Sequence, residues 1–292
     1  MLVVFITDKA FFLVKNTAPE MVQDKRLNDL FEGKVNKDLI IIGSSRGTAD
    51  IATWMLEDSL GMSAFNLSYG GSEIEWQLFI LETLLEKASP PRIIVKIIDD
   101  PFELTKAKIN EFRLDVLYPL VKYPRALEAL IERGEKNRFL SKLLVTHQLS
   151  KTSYDFRAPP PVQDSVLLYG ALPRRGQISE KQKKKVRIDT SYYASNELPG
   201  KVDAFMKFKD ITKNKGIQVV YVIPPSYSPL NEDFVIRMRT MIGPDNTFFI
   251  YDREDSSYFR DAFFRDPYHL NIKGAEYFTN DLVCFMKDKL DY

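Results

Sequence analysis

The sequence predicts an α/β protein built on a parallel, doubly wound sheet, and three observations carry that prediction. Short apolar runs rich in β-branched residues alternate with stretches of helical spacing, the order of elements that parallel sheets require. The clearest run, Asp38–Gly43, is apolar throughout its interior, as a strand covered on both faces must be. The chain has 292 residues, of which 45% are hydrophobic and 28% charged, an ordinary globular composition with room for one large domain or two small ones.

The elements follow in order. The first strand, Asp38–Gly43, runs through Ser44, Ser45 and Arg46 into Thr48–Leu56, which has helical spacing. Ser63–Ser68 reads as a second strand leading into Tyr69-Gly70-Gly71. Ser72 and Glu75 have the spacing of a capping box, so a helix is expected from there to about Lys87. Arg92–Ile98 is a third strand, closed by Asp99, Asp100 and Pro101. From Phe102 to about Ser150 the pattern is helical. Tyr154–Asn196 then departs from the core as a long excursion, with Pro159, Pro160 and Pro161, a turn at Gly176, and the basic run Lys181–Lys185, read as a solvated helix face. Regular structure resumes with a helix over Gly200–Lys215, a fourth strand Ile217–Ile223 stopped by Pro224 and Pro225, a helix over Asn231–Met241, a fifth strand Thr247–Tyr251, and a last helix over Lys273–Leu290. Residues 1–37 precede this domain, and about 105–199 read as an insertion within it.

Charge and composition exclude several functions. Lys plus Arg is 41 and Asp plus Glu is 40, so the net charge is +1 and no basic excess points to nucleic acid. One cysteine, Cys284, forbids an internal disulfide and a cysteine-cluster zinc site. Two histidines, His147 and His269, are too few for a histidine-rich metal centre, and they are the only candidates for a histidine base. His147 falls in the insertion and is expected to pack or face solvent; Trp54 and Trp76 lie on helical faces as core residues. The apolar opening Met1–Ile6, broken by Thr7-Asp8-Lys9, falls short of the ~20 apolar residues of a membrane span. It reads either as a buried first strand or helix, or as the tail of a membrane anchor.

In an open parallel sheet, functional residues gather beyond the carboxyl ends of the strands. Ser45 lies in the turn after the first strand, where its hydroxyl can stand above the sheet and the following helix favours developing negative charge. Gly71 follows the second strand and lacks the Cβ that would keep its N–H from a ligand oxygen. Asp99 and Asp100 follow the third. Asp266-Pro267-Tyr268-His269 follows the fifth, and its spacing lets the carboxylate reach the imidazole. A serine needs a base to take its proton, and a histidine base needs a partner that fixes its tautomer. Each feature also has an ordinary explanation: a cap at Ser44 and Ser45, a turn at Gly71, a loop carboxylate, a packed histidine. Tyr227 and Tyr268 sit near strand ends, where they could line a pocket.

With these four blocks in order, the chain resembles the SGNH (GDSL-like) hydrolase family. Gly43-Ser44-Ser45-Arg46 stands where that family has Gly-Asp-Ser, Asn66–Gly71 resembles its second block, Asp99-Asp100 falls at Gly-x-Asn-Asp, and Asp266–His269 fits its terminal Asp-x-x-His. The Gly-Ser-Ser-Arg form is most similar to a bacterial branch often tethered to the cell envelope or periplasmic face. The resemblance covers about residues 38–104 and 200–290. It implies a flavodoxin-like three-layer sandwich with strand order 2-1-3-4-5. It implies a serine esterase or O-acyltransferase in which Ser45 is nucleophile, His269 base and Asp266 its partner. Ser45 and Gly71 would form the oxyanion hole, with Ser44, Arg46, Asp99, Asp100 and Tyr268 lining the site. No metal or organic cofactor is called for, and the expected substrate is a small-molecule or glycan ester, including acylated envelope polymers. The third block departs from the pattern, because an ionised aspartate cannot donate to an oxyanion as asparagine does. Three outcomes are open: two backbone donors suffice, Asp100 turns away to pair with Arg46, or the domain binds without hydrolysing. A flavodoxin-like phosphate or flavin site at Ser44–Thr48 is a further reading, which leaves Asp266 and His269 idle.

Overall fold

The computed structural model describes residues 2–17, 25–107, 111–149, 151–154, 156–157, 168–184, 186 and 191–290. The chain divides into two compact units. One comprises residues 33–112 and 164–292, and the other residues 1–32 and 113–163.

The larger unit is an α/β sandwich. Its sheet has five parallel strands in the order β2-β1-β3-β4-β5: β1 Leu39–Ile42, β2 Ala64–Asn66, β3 Ile93–Ile97, β4 Gln218–Ile223 and β5 Thr247–Ile250. Every residue of β1, β2 and β3 is buried, which explains the all-apolar run of β1, while the polar Asn66 of β2 and Lys96 of β3 are buried against the Gly47 carbonyl and Glu103 respectively. Strand alternation sends Leu39, Ile41, Val95, Ile97, Val220 and Val222 to one face, packed with Leu56, Phe278, Leu282 and Met286 from helices Thr53–Leu60 and Ile272–Lys289. Helices Ile74–Lys87 and Pro199–Asn214 pack against each other elsewhere in the unit, with Trp76 fully buried. Trp54 is half-buried against Tyr169. The order 2-1-3 makes the gap between β1 and β3 the switch point of the sheet, and Ser45 follows β1 directly.

Three local expectations are corrected. The capping box at Ser72 does not form: the helix begins at Ile74 with Glu73 as N-cap, and the Ser72 hydroxyl donates to the Gly43 carbonyl at 3.2 Å. That bond ties the chain after β2 to the end of β1. The helix expected over Thr48–Leu56 is two helices, Ser45–Asp50 and Thr53–Leu60. They break at Ile51-Ala52, where the Ala52 N–H donates to Thr279 Oγ1 at 2.9 Å and the Asp50 carboxylate is used elsewhere. The helical reading from Phe102 fails up to Arg113, where the described residues form turns and two isolated bridges, Thr105 with Glu197 and Ser72 with Glu111. In the basic run Lys181 and Lys184 are exposed, as a solvated helix face requires, while Lys183 closes helix Glu180–Lys183 and pairs with Asp261 at 2.5 Å. Pro159, Pro160, Pro161 and Lys185 lie outside the described residues.

The smaller unit is helical, with helices Leu2–Thr17, Arg26–Phe31, Leu114–Leu117, Pro124–Glu132 and Arg138–Leu143. Asp8 holds it together by accepting from the N–H groups of Val145 and Thr146, which keep its carboxyl low, at about 2, against the opposing effect of burial. The Phe31 and Tyr123 rings stack at 5.0 Å. The opening segment is a helix, but it is not a buried one: Val3, Val4, Ile6 and Leu13 are exposed. No described helix is long and apolar enough to cross a membrane. His147 is exposed.

Candidate active site

Glycine brings the first element into place. An added Cβ at Gly43 would lie 2.6 Å from the Ile97 Cβ, and one at Gly47 would lie 2.2 Å from the Ser68 Oγ. Only glycine lets helix Ser45–Asp50 settle this close to the ends of β2 and β3. Ser44 caps that helix: its Oγ accepts from the Arg46 N–H at 3.3 Å and its hydroxyl donates to Asp99 Oδ1 at 2.6 Å. Ser45 is therefore the first helical residue, half-buried above the sheet.

A feature the sequence reading missed supplies the base. Residues 264–270 form an antiparallel hairpin, β6 Phe264–Asp266 and β7 His269–Leu270, turned by Pro267 and Tyr268. In its register Asp266 lies directly opposite His269. The aspartate oxygens sit 2.9 and 3.0 Å from His269 Nδ1, and Oδ1 also accepts from the N–H groups of Tyr268 and His269. On its far side the ring presents Nε2 to Ser45 Oγ at 2.7 Å, across 224 residues of sequence. A carboxylate only accepts, so Nδ1 carries the ring proton and Nε2 accepts from the serine hydroxyl.

Asp50 holds the two segments together. Fully buried at the end of the serine helix, it accepts from the Leu270 N–H at 2.9 Å, one residue beyond His269. Asn271 then caps the last helix through Gly274 N–H and ties the hairpin to the Gly176 and Ala262 carbonyls. Arg174 stands 3.4 Å from Asp266 Oδ2. Neither Asp50 nor Arg174 was expected from sequence. Asp50 lay inside a helical pattern, and Arg174 lay in the excursion, where no periodicity marks which side chain turns inward.

The electrostatics suit a neutral base. Burial lowers the His269 pKa, and the Arg174 and Arg46 charges reinforce this against the raising effect of Asp266. Burial acts to raise Asp266, but His269, the Tyr268 N–H and Arg174 outweigh it and leave the carboxylate below its usual range. Near neutral pH the triad thus holds an ionised aspartate, a neutral imidazole and a protonated serine. Gly71 takes φ 69°, a left-handed conformation suited to glycine. Among the described residues, neither the Ser45 nor the Gly71 N–H donates to a protein oxygen.

Of the three outcomes left open for the third block, the structure excludes one. Arg46 does not pair with Asp100; its Nε lies 3.6 Å from Asp50 Oδ2 and its Nη2 donates to the Pro224 carbonyl. Asp99 is buried, pushed up to about 6 by burial and Glu103, and is occupied by Ser44. Asp100 and Tyr268 both line a pocket of about 300 Å³. Tyr227 instead donates to Asp261 and packs edge-on against Phe264. Among the described residues no group of three His, Cys, Asp or Glu side chains is placed to hold a metal ion.

No family model and no curated protein matches the chain. Among solved structures it is similar to one described as a "putative acylhydrolase" from Bacteroides fragilis, with 10% sequence identity, 97% of each chain covered and a TM-score of 0.41. That likeness carries no statement about activity. The class of the larger unit rests on its own topology: a three-layer α/β sandwich on a five-stranded parallel sheet.

Proposed function

We propose that the protein is a serine esterase or O-acyltransferase. Ser45 attacks the carbonyl carbon of an ester while His269 Nε2 takes its proton. Asp266 keeps the Nδ1 proton in place and stabilises the imidazolium that forms. The N–H groups of Ser45 and Gly71 receive the oxyanion. His269 then returns the proton to the departing alkoxide, and water or a second alcohol releases the acyl group from Ser45. The single observation that carries this reading is the unbroken line from Asp266 through His269 to Ser45, with contacts of 2.9 and 2.7 Å. A phosphate or flavin site at Ser44–Thr48 gives that line no role. An acylated carbohydrate or envelope polymer is the proposed natural ester, by resemblance of the sequence blocks. A second reading, a non-catalytic carbohydrate-binding or interaction domain, is motivated by the aspartates of the third block.

The test is turnover of p-nitrophenyl acetate by the wild type and Ser45→Ala, together with fluorophosphonate labelling. The enzyme reading expects Ser45 to be labelled and the variant to lose at least about 10³-fold in kcat. Equal rates and no label would leave the binding reading.

A further inference from the structure

We infer that Arg174 selects an ester whose alcohol portion carries an anionic group, a carboxylate or a phosphate, and that its guanidinium holds that group beside the triad. The inference rests on the serine reading above and names a substrate class for the same site.

The pocket walled by Tyr192, Tyr193 and Tyr268 takes in none of the triad side chains. The segment that does meet the triad is residues 170–178, which runs across both elements that carry it. The Leu172 N–H donates to the Thr48 carbonyl of the serine helix at 2.8 Å, and the Ile178 N–H donates to the Phe264 carbonyl of β6 at 2.8 Å. Between them the Arg174 carbonyl accepts from the Ile272 N–H at 2.9 Å, and the Gly176 carbonyl accepts from Asn271 Nδ2 at 2.9 Å. These bonds fix the backbone from which the Arg174 side chain starts, so its place beside Asp266 is built into the fold. Arg175, next in the segment, is exposed and adds positive charge.

Arg174 has donors to spare. A guanidinium carries five N–H groups in a planar fork. Its contact with Asp266 Oδ2 is 3.4 Å long, and that oxygen lies nearer to His269 Nδ1, at 3.0 Å. Among the described residues no other protein oxygen takes a bond from the Arg174 side chain, which is 39% exposed. Arg46, the other arginine whose charge acts on His269, is buried and committed to Asp50 and the Pro224 carbonyl. Of these two cations, only Arg174 is within reach of a substrate. Paired guanidinium N–H groups match the oxygens of a carboxylate or a phosphate. The proton path decides which part of the ester bears the charge. His269 Nε2 hands its proton to the leaving alkoxide, so the alcohol portion lies on the imidazole side of Ser45. Asp266 and Arg174 stand beyond the imidazole on that side. The charge that meets Arg174 therefore belongs to the alcohol portion, several atoms from the ester carbonyl.

The experiment measures kcat and KM of the wild type, Arg174→Gln and Arg174→Lys on three acetate esters at about pH 8, where the imidazole is neutral. Two carry charge on the alcohol portion, 4-acetoxybenzoate and 4-acetoxyphenyl phosphate, and one is uncharged, methyl 4-acetoxybenzoate. Each variant is compared with the wild type on the same ester, which cancels the esters' unequal intrinsic reactivity. Arg174→Gln should lose about tenfold in kcat/KM on the charged esters, mostly through KM, and less than about threefold on the methyl ester. Arg174→Lys keeps the charge and should recover part of that loss. Sodium chloride at about 0.5 M should raise the wild-type KM for the charged esters alone. A loss confined to one charged ester supports the inference and identifies the group selected. Equal losses on charged and uncharged esters would leave Arg174 only the task of holding Asp266 and overturn the inference, as would wild-type kinetics of Arg174→Gln on both charged esters. In either case fluorophosphonate labelling of Ser45 leaves the serine reading standing. If Arg174→Gln does not fold, Arg174→Lys and the salt series decide. Absence of Ser45 labelling in the wild type removes both.

Discussion

Replacing Asp266 with asparagine changes one atom type and tests the whole proton path. The carboxylate accepts from Nδ1 at 2.9–3.0 Å and from two backbone N–H groups. An asparagine of the same shape keeps the hairpin but can turn its NH₂ toward the ring. Nδ1 then becomes the acceptor, the ring proton moves to Nε2, and Ser45 faces a donor where it needs a base. In a triad of this geometry, loss of the carboxylate lowers kcat about 10⁴-fold, or about 5.4 kcal/mol of transition-state stabilisation. Here Asp266 is 21% exposed and Arg174 already draws on one oxygen, so about 10³- to 10⁴-fold is expected. The pH profile should move as well. Asp266 opposes the burial that lowers the His269 pKa, so without it the ring protonates only at still lower pH. The acid limb of kcat/KM should therefore shift down while the plateau falls. Stopped-flow or burst kinetics on p-nitrophenyl acetate, with melting temperature as a fold control, reads both. A folded Asp266→Asn protein within tenfold of wild type, or an acid limb that moves up, refutes the proton path.

Two further perturbations probe the frame around the triad. Gly47→Ala puts a methyl group 2.2 Å from Ser68 Oγ, so the serine helix must lift. A displacement of about 1 Å should cost roughly 10²-fold in kcat, with a smaller effect on KM, by steady-state kinetics. Lys96 and Glu103 form a fully buried pair at 2.6 Å, and Glu103 also accepts from the Asp99 N–H. Lys96→Met strands that carboxylate and should destabilise by about 3–5 kcal/mol in denaturant titration, whereas Lys96→Met with Glu103→Gln should recover most of the loss.

The fold was legible because its signal is local. All-apolar β-branched runs meant strands covered on both faces, and the order 2-1-3-4-5 followed from the resemblance. Ser45, Asp266 and His269 were legible for a related reason: residues just past strand ends, or three apart on one segment, are constrained by topology alone. What the sequence hid depends on contacts distant in the chain. Asp50 reads as a polar helix position until Leu270 N–H is seen to need it. Ser72 has a capping spacing, but the Gly43 carbonyl takes its hydroxyl instead. The hairpin at 264–270 has strands of three and two residues, too short for any periodicity. Arg174 and the pocket tyrosines 192 and 193 lie in a segment without repeat, so nothing local distinguishes the inward side chain from the outward one.

Asp99 has its partner across the end of the sheet. Ser44, just past β1, donates to Asp99, just past β3, at 2.6 Å. The contact joins the end of β1 to the end of β3, and Ser44 also caps the helix that carries Ser45. That contact makes a specific forecast. Ser44→Asp alone sets two carboxyls face to face in a buried site, where one must take a proton or the strand ends must part. It should destabilise the domain by several kcal/mol, on the scale of an uncompensated buried charge. Asp99→Asn alone keeps an amide oxygen for the Ser44 hydroxyl and should cost about 1 kcal/mol. Ser44→Asp with Asp99→Asn again sets a donor against an acceptor, with the direction of the bond reversed. It should recover most of the loss, with a coupling of about 2–3 kcal/mol in a double-mutant cycle. Additive effects of the two substitutions would mean that the 2.6 Å contact does not join the strand ends.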